Sequence, residues 1–311
     1  MHPHRRSLLA APLAFAWPAR AQSHPLRMIV SLGPGSTVDL AARILAEALT
    51  QRRGQQVVVE NAPGGEGIVA ANALLRARPG EAVMYSFGDL VTVPPAVSPG
   101  YDLVAELLPV ARTTANPLLL AAAPQLGLRD LAGLMALARR RPGELGYYTS
   151  PGGAALGMRA LQREAGVTLV KVPYRSSAAA MVDLTAGRIG LLLAPQGAAL
   201  ELVAAGKVVA VATPGPVRSP ELPDMPTSAE AGFPEFRAEG SQGIFAARSW
   251  PAAEREALAA QVLDALQDLG VRARLAAAGV TPFGRGPAEF AAYLAETRAR
   301  LAVLVREFGP E

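Results

Sequence analysis

Residues 29–44 read IVSLGPGSTVDLAARI. A β-branched start passes through a turn of Gly33, Pro34 and Gly35 into a helical pattern, which is the strand–turn–helix arrangement that places backbone N–H groups in front of an anion. Ser36 is placed to cap the helix and Asp39, three residues on, to reach back as the acidic half of a capping box. The helix is expected over Thr37 to Leu49, with Leu40, Ile44, Leu45 and Leu49 along one face. A helix start carries roughly half a positive charge, so the turn suits a carboxylate or a phosphate. A Walker-type loop would need a glycine–lysine pair where Ser36-Thr37-Val38 stand, and Val38 denies the third glycine of a dinucleotide fingerprint.

The pattern continues outward. Strands are expected at Gln56–Glu60 and Ala82–Phe87, with a glycine turn over Ala62–Gly67 and a helix to Ala77 between them. Such alternation argues for an α/β fold with parallel strands. Pro117 to Ala123 reads as a buried strand, and strand–helix units restart at Leu145–Thr149, Val167–Val172 and Ile189–Leu193. A SAEAG helix is expected after the Pro-rich connector, and a strand around Ile244. One stripe of Leu258, Val262, Leu266 and Leu269 is expected on a helix starting at Pro251, and a last helix over Pro287–Phe308. The terminal helices are expected to pack on the first domain.

Composition limits the chemistry. The first 21 residues, with Arg5, Arg6, an apolar stretch and Ala19-Arg20-Ala21, read as a cleavable export signal, by the Sec or the twin-arginine route. Removing them leaves 290 residues, enough for two domains, and lowers the formal charge from +4 to +1 by the loss of three arginines. A near-neutral chain without a basic run offers no footprint for nucleic acid. There is no cysteine, and His24 is the one histidine left beyond the leader. The usual general base, serine partner and zinc ligand are therefore missing, and no cofactor or metal site is expected.

Two further turns resemble the first. Thr149, Ser150, Pro151, Gly152 and Gly153 precede one helix, and Tyr174, Arg175, Ser176 and Ser177 precede another. If two α/β domains face each other, these helix starts converge on one small anion. Arg175 is the one charged side chain beside them able to pair with a carboxylate. Of Tyr147 and Tyr148, one is expected in the core and the other toward the cleft.

Six stretches in order resemble the Bug receptors, the periplasmic substrate-binding proteins of tripartite tricarboxylate transporters: residues 25–49, 55–71, 171–189, 205–213, 218–234 and 271–284. The most specific parts are Val172-Pro173-Tyr174, the run from Pro220 to Gly232, and V-E-N-x-P-G from Val59 to Gly64. The resemblance implies a two-lobed, type II-like Venus-flytrap fold with crossovers near Leu118–Ala123 and Gly240–Phe245. It places one lobe over residues 22–121 and 241–311 and the other over 122–240. It also implies a ligand carboxylate held by amides and hydroxyls of the cleft loops: Leu32, Pro34, Gly35, Ser36 and Thr37; Thr149, Ser150, Gly152, Gly153 and Ala154; Arg175, Ser176 and Ser177; with Ser86, Gly88 and Ala194 at neighbouring strand ends.

The chain departs from the family pattern at several positions. Ala154, Ala155, Leu156 and Gly157 stand where relatives carry hydroxyls and a histidine, Ala194 where an aspartate is frequent, and Val93 and Ile68 where asparagines are common. Each change removes a polar group, so an aromatic or aliphatic monocarboxylate is expected to fit better than a polycarboxylate or an amino acid. The expected function is a periplasmic, monomeric receptor that closes on a small organic acid and presents it to a permease or a sensor. Two other classes fit the sequence less well: a degenerate receptor acting as an interaction protein, and a secreted enzyme using Asp39, Glu60 or Asp89.

Overall fold

A computed structural model describes residues 24–88, 106–150, 152–174, 176–219 and 221–309. The expected leader, Asp89, Val93, Pro151, Arg175 and Pro220 lie outside the described residues.

The chain opens with β1 (Leu26–Val30), α1 (Thr37–Arg53), β2 (Val57–Asn61), α2 (Ile68–Arg76) and β3 (Ala82–Phe87). Strand β4 (Leu107–Ala122) leads to α3 (Leu131–Arg140), β5 (Gly146–Thr149), α4 (Gly153–Ala165), β6 (Val170–Lys171), α5 (Ser177–Thr185), β7 (Leu191–Pro195), α6 (Leu200–Ala204) and β8 (Val209–Ala212). The chain returns through β9 (Glu239–Ala247), α7 (Ala252–Ala265), α8 (Leu269–Ala277), β10 (Thr281–Arg285) and α9 (Pro287–Phe308).

The sheet order is β2-β1-β3-β9-β4-β7-β5-β6, with β8 and β10 also pairing with β4. Strands β2, β1 and β3 are parallel, as are β6, β5 and β7, in keeping with the strand–helix alternation of the sequence. The sheet is mixed because β4 and β9 join the halves antiparallel to their neighbours. Strand β4 pairs with β9 as far as Pro117↔Glu239 and with β7 from Leu118↔Pro195, so one long strand changes partners between adjacent residues.

Alternation along the strands feeds cores on both faces. Met28 and Val30 join the cluster that α1, α7 and α8 cover, while Ile29 points into the opposite cluster with Phe245 and Phe290. In the other half Leu191 and Leu193 face one cluster and Leu192 and Ala194 the other. Such two-sided burial is what parallel strands flanked by helices require.

Several expectations are corrected here. Strand β4 begins ten residues before the expected Pro117. SAEAG forms only a turn. The helix from Pro251 ends at Ala265, and Leu269 is 82% exposed because Asp268 caps a separate helix, accepting from the N–H groups of Gly270 and Val271. Leu40 is exposed, its expected place in the core being taken by Val38, Ala41 and Ala42. Helix α9 packs on both halves: Phe290 and Leu294 lie in the β1–β3 core, whereas Leu301, Leu304 and Val305 pack on Leu156 and Ala160 of α4. No helix among the described residues is long and apolar enough to cross a membrane.

Candidate functional site

The pairing directions bring the helix starts to one level. Phe87 at the end of β3 lies opposite Gln242, and Gly88 donates its N–H to Ser241 O at 2.9 Å. Pro195 at the end of β7 lies opposite Leu118. The parallel neighbours β1, β5 and β6 end on the same sides, so α1, α4 and α5 all start next to the junction of the halves. Ser241 pairs with Ala115, three residues before Leu118. Along the strand direction the two sets of ends are therefore about 10 Å apart, at 3.3 Å per residue.

The first loop is held by the protein itself. Ser36 caps α1, its Oγ accepting from Asp39 N–H at 3.2 Å. The Asp39 carboxylate does not close the box on Ser36; it accepts from Gly35 N–H at 2.9 Å, while Ser36 N–H bonds Gly33 O. Asn61 Nδ2 donates both to Asp39 Oδ1 at 2.8 Å and to Leu32 O at 2.9 Å, and Arg43 pairs with Asp39. Burial by itself raises the Asp39 pKa, but Arg43 and the Gly35 and Asn61 donors outweigh it and hold the carboxyl below its usual range. The loop is thus pinned at Leu32, Gly35 and Ser36, and the N–H groups of Thr37 and Val38 are left without a partner among the described residues. Pro34, Gly35 and Thr37 are exposed, and Leu32 and Ser36 are half-buried.

The second turn is barer. Gly152 precedes α4 with φ +88° and ψ −142°, and no side chain caps the helix. Because the first helical bond runs from Leu156 N–H to Gly152 O, the N–H groups of Gly153, Ala154 and Ala155 have no partner among the described residues. Thr149, ending β5, is 1% exposed and its Oγ1 is buried without a hydrogen bond. A buried hydroxyl left unpaired costs about 1–3 kcal/mol unless something else meets it. Ser150 is exposed, and Gly153 and Ala154 are half-buried. At the third turn exposed Ser176 caps α5 through Ala179 N–H at 3.3 Å, and half-buried Ser177 begins the helix.

Other expected site residues are spent elsewhere. Ser86 is fully buried and shares a 2.8 Å hydrogen bond with Ser31. Gly88 is buried with its N–H committed to the sheet, and a Cβ there would lie 2.5 Å from Ser241 Oγ. Ala194 sits in a core cluster with Tyr148 and Met181. Both tyrosines are buried, Tyr147 on one face of the sheet and Tyr148 on the other, because successive strand residues here meet two cores rather than a core and an opening. Sequence reasoning missed Asn116 and Gln196, whose Oδ1 and Oε1 are buried without donors next to the partner change of β4. Their signal was polarity within the strand run RTTAN and directly after LLLAP.

A sequence model described as the tripartite tricarboxylate transporter family receptor matches residues 41–309. The chain belongs to this family. The protein BugT of Bordetella pertussis is 32% identical, covering 97% of this chain and 93% of that protein. Among solved structures, a Rhodopseudomonas palustris protein with adipate is 27% identical with TM-score 0.75, covering 93% of this chain and 97% of that one. The same organism's MatC with bound malate is 26% identical with TM-score 0.72, covering 93% of this chain and 100% of that one. The family model describes a receptor, and its solved relatives, the periplasmic binding protein BugD among them, share a two-lobed fold. Residues 41–309 hold the second and third candidate turns, whereas the first, Leu32 to Thr37, precedes them.

Proposed function

We propose that this receptor binds a small organic carboxylate between its halves, with the anion seated on the bare start of α4 and reached from the other side by Thr37 and Val38 N–H. The observation that carries this reading is the pairing of three N–H groups at Gly153–Ala155, unpartnered among the described residues, with the unpartnered, buried hydroxyl of Thr149 on the preceding strand. Oriented amides at a helix start favour negative charge, and a carboxylate satisfies several donors at once. Ser176 and Ser177 at α5, and Arg175, complete the proposed set from the third turn. The roughly 10 Å offset between strand ends accommodates a metabolite of a few carbons.

The lobes we assign are 22–121 with 241–311, and 122–240, hinged on β4 and β9. Contacts from both exist together only in the closed form, so ligand binding favours closure. Alanine at half-buried Ala154 makes the ligand an aliphatic or aromatic monocarboxylate rather than citrate, with waters meeting Asn116 and Gln196. The receptor is exported by the 1–21 leader, acts as a monomer, and hands its ligand to an integral-membrane permease or a sensor.

A thermal-shift series with hexanoate, benzoate, adipate, malate and citrate tests this. An acid at ~100 times its dissociation constant adds about 2.7 kcal/mol of stability. Monocarboxylates are expected to shift the midpoint most. Tight citrate binding would contradict the monocarboxylate assignment, and no response to any acid would favour an interaction protein instead.

A further inference from the structure

A second cavity, about 310 Å³, lies beside the junction of β4 and β9 and shares no residue with the three turns. Its walls come from both halves: Pro214 and Val217 follow β8, while Phe283 and Arg285 of β10 and Tyr293 of α9 stand opposite. Arg112 of β4 lines it. That guanidinium lies over the rings of Tyr293, 3.8 Å from the centroid, and Phe283, at 4.7 Å. Arg112 is 5% exposed, and its Nε and Nη2 are buried without a hydrogen bond. Nη2 lies 2.9 Å from a Glu239 carboxylate oxygen, an ion pair without hydrogen-bond alignment. One carboxylate thus balances the charge of the guanidinium and leaves its donors unmet.

The surroundings are cationic as well. Arg112, Arg237, Arg285 and Arg300 line the cavity against Glu239 and Glu296. Arg237 pairs with Glu296, and Arg285 pairs with Glu289 just outside. The rest of the wall is apolar or aromatic, and Val217 is 73% exposed at its edge. The edge of a guanidinium is the geometry that takes a planar carboxylate.

We propose that this cavity is a second binding site, distinct from the carboxylate crevice, for an organic anion with an aromatic or branched apolar body: the charged end meets the Arg112–Arg285 side and the body lies on Pro214, Pro216 and Val217.

Benzoate titration followed by backbone amide NMR of the full chain tests the proposal. Val217, Ala238 and Thr297 amides are expected to shift saturably, and to do so equally in Gly153→Pro, which disables the crevice. Arg285→Gln is expected to weaken this response about two- to fivefold, as for a partly exposed charge pair, and Val217→Glu to weaken it further, while the Gly153 and Ala154 amides respond as in the parent. Amides of the cavity that stay still at the solubility limit of benzoate, that respond only when the crevice responds, or that shift alike in both charge variants would overturn it. If only the crevice amides of the parent fail to respond, the proposed function fails and the cavity stands.

Discussion

The Asp39 carboxylate accepts from the N–H of Gly35 at 2.9 Å, inside the very loop that the sequence offers to an external anion. The first turn is therefore shaped by an internal anion that also bonds Asn61 and Arg43. Asp39 fixes the loop; the donors beyond it, Thr37 and Val38, stay available.

Asp39→Ala is expected to cost about 1–3 kcal/mol, the range for losing hydrogen bonds to a charged group. The pH dependence has a definite sign. Asp39 is held below its ordinary value of 3.8, so its contribution is complete above that value and is lost as pH falls through the lower folded value. Urea unfolding from pH 7 to pH 2.5 should show the gap between the parent and Asp39→Asn shrink only at the acid end.

Thr149→Val removes a hydroxyl that makes no internal hydrogen bond. A purely structural threonine in that state predicts unchanged or higher stability and unchanged binding. The proposed role predicts the same stability with affinity for the best monocarboxylate down about tenfold, one hydrogen bond to a charged group. Calorimetric titration beside thermal unfolding separates the two.

Gly153→Pro deletes one donor where helices tolerate proline best, at their first position. Folding should be retained, with a midpoint within a few degrees of the parent. Affinity should fall about 10- to 100-fold, as expected for one charge-assisted bond. Equal affinity would place the anion elsewhere.

Gly243 sits where β9 crosses β4. A Cβ there would lie 2.5 Å from the Phe290 ring and 2.6 Å from Ala111 O, neither of which can move aside cheaply. Gly243→Ala is expected to destabilise by about 1–3 kcal/mol or more, whereas alanine at Gly197, where nothing lies within 4 Å, should be nearly silent. Denaturant midpoints of the two variants make the comparison.

The parallel units were legible because each pairs a β-branched run with a glycine turn and a helical stripe; α9 was legible end to end from Pro287 to Phe308. The first half of β4 was not. Arg112, Thr113 and Thr114 precede the run read as a strand, yet all three are buried, their polar groups taken up by Tyr85, Gln242 and Glu239 or left unpaired. SAEAG misled for a local reason. Thr227 and Glu230 do form reciprocal capping bonds, but Gly232 at φ +90° and Pro234 end the chain's turn before a helix can follow. In the site, helix starts were visible from the turns, whereas Ser86, Gly88 and Ala194 were committed by strand pairing and core packing, which no single stretch of sequence reveals.

The most direct measurement is an amide NMR titration of the full chain with hexanoate. The account predicts saturable shifts at Gly153, Ala154 and Ala155, joined by Thr37 and Val38, with the same dissociation constant at every one. Binding of the acid while these five amides stay unmoved would contradict it.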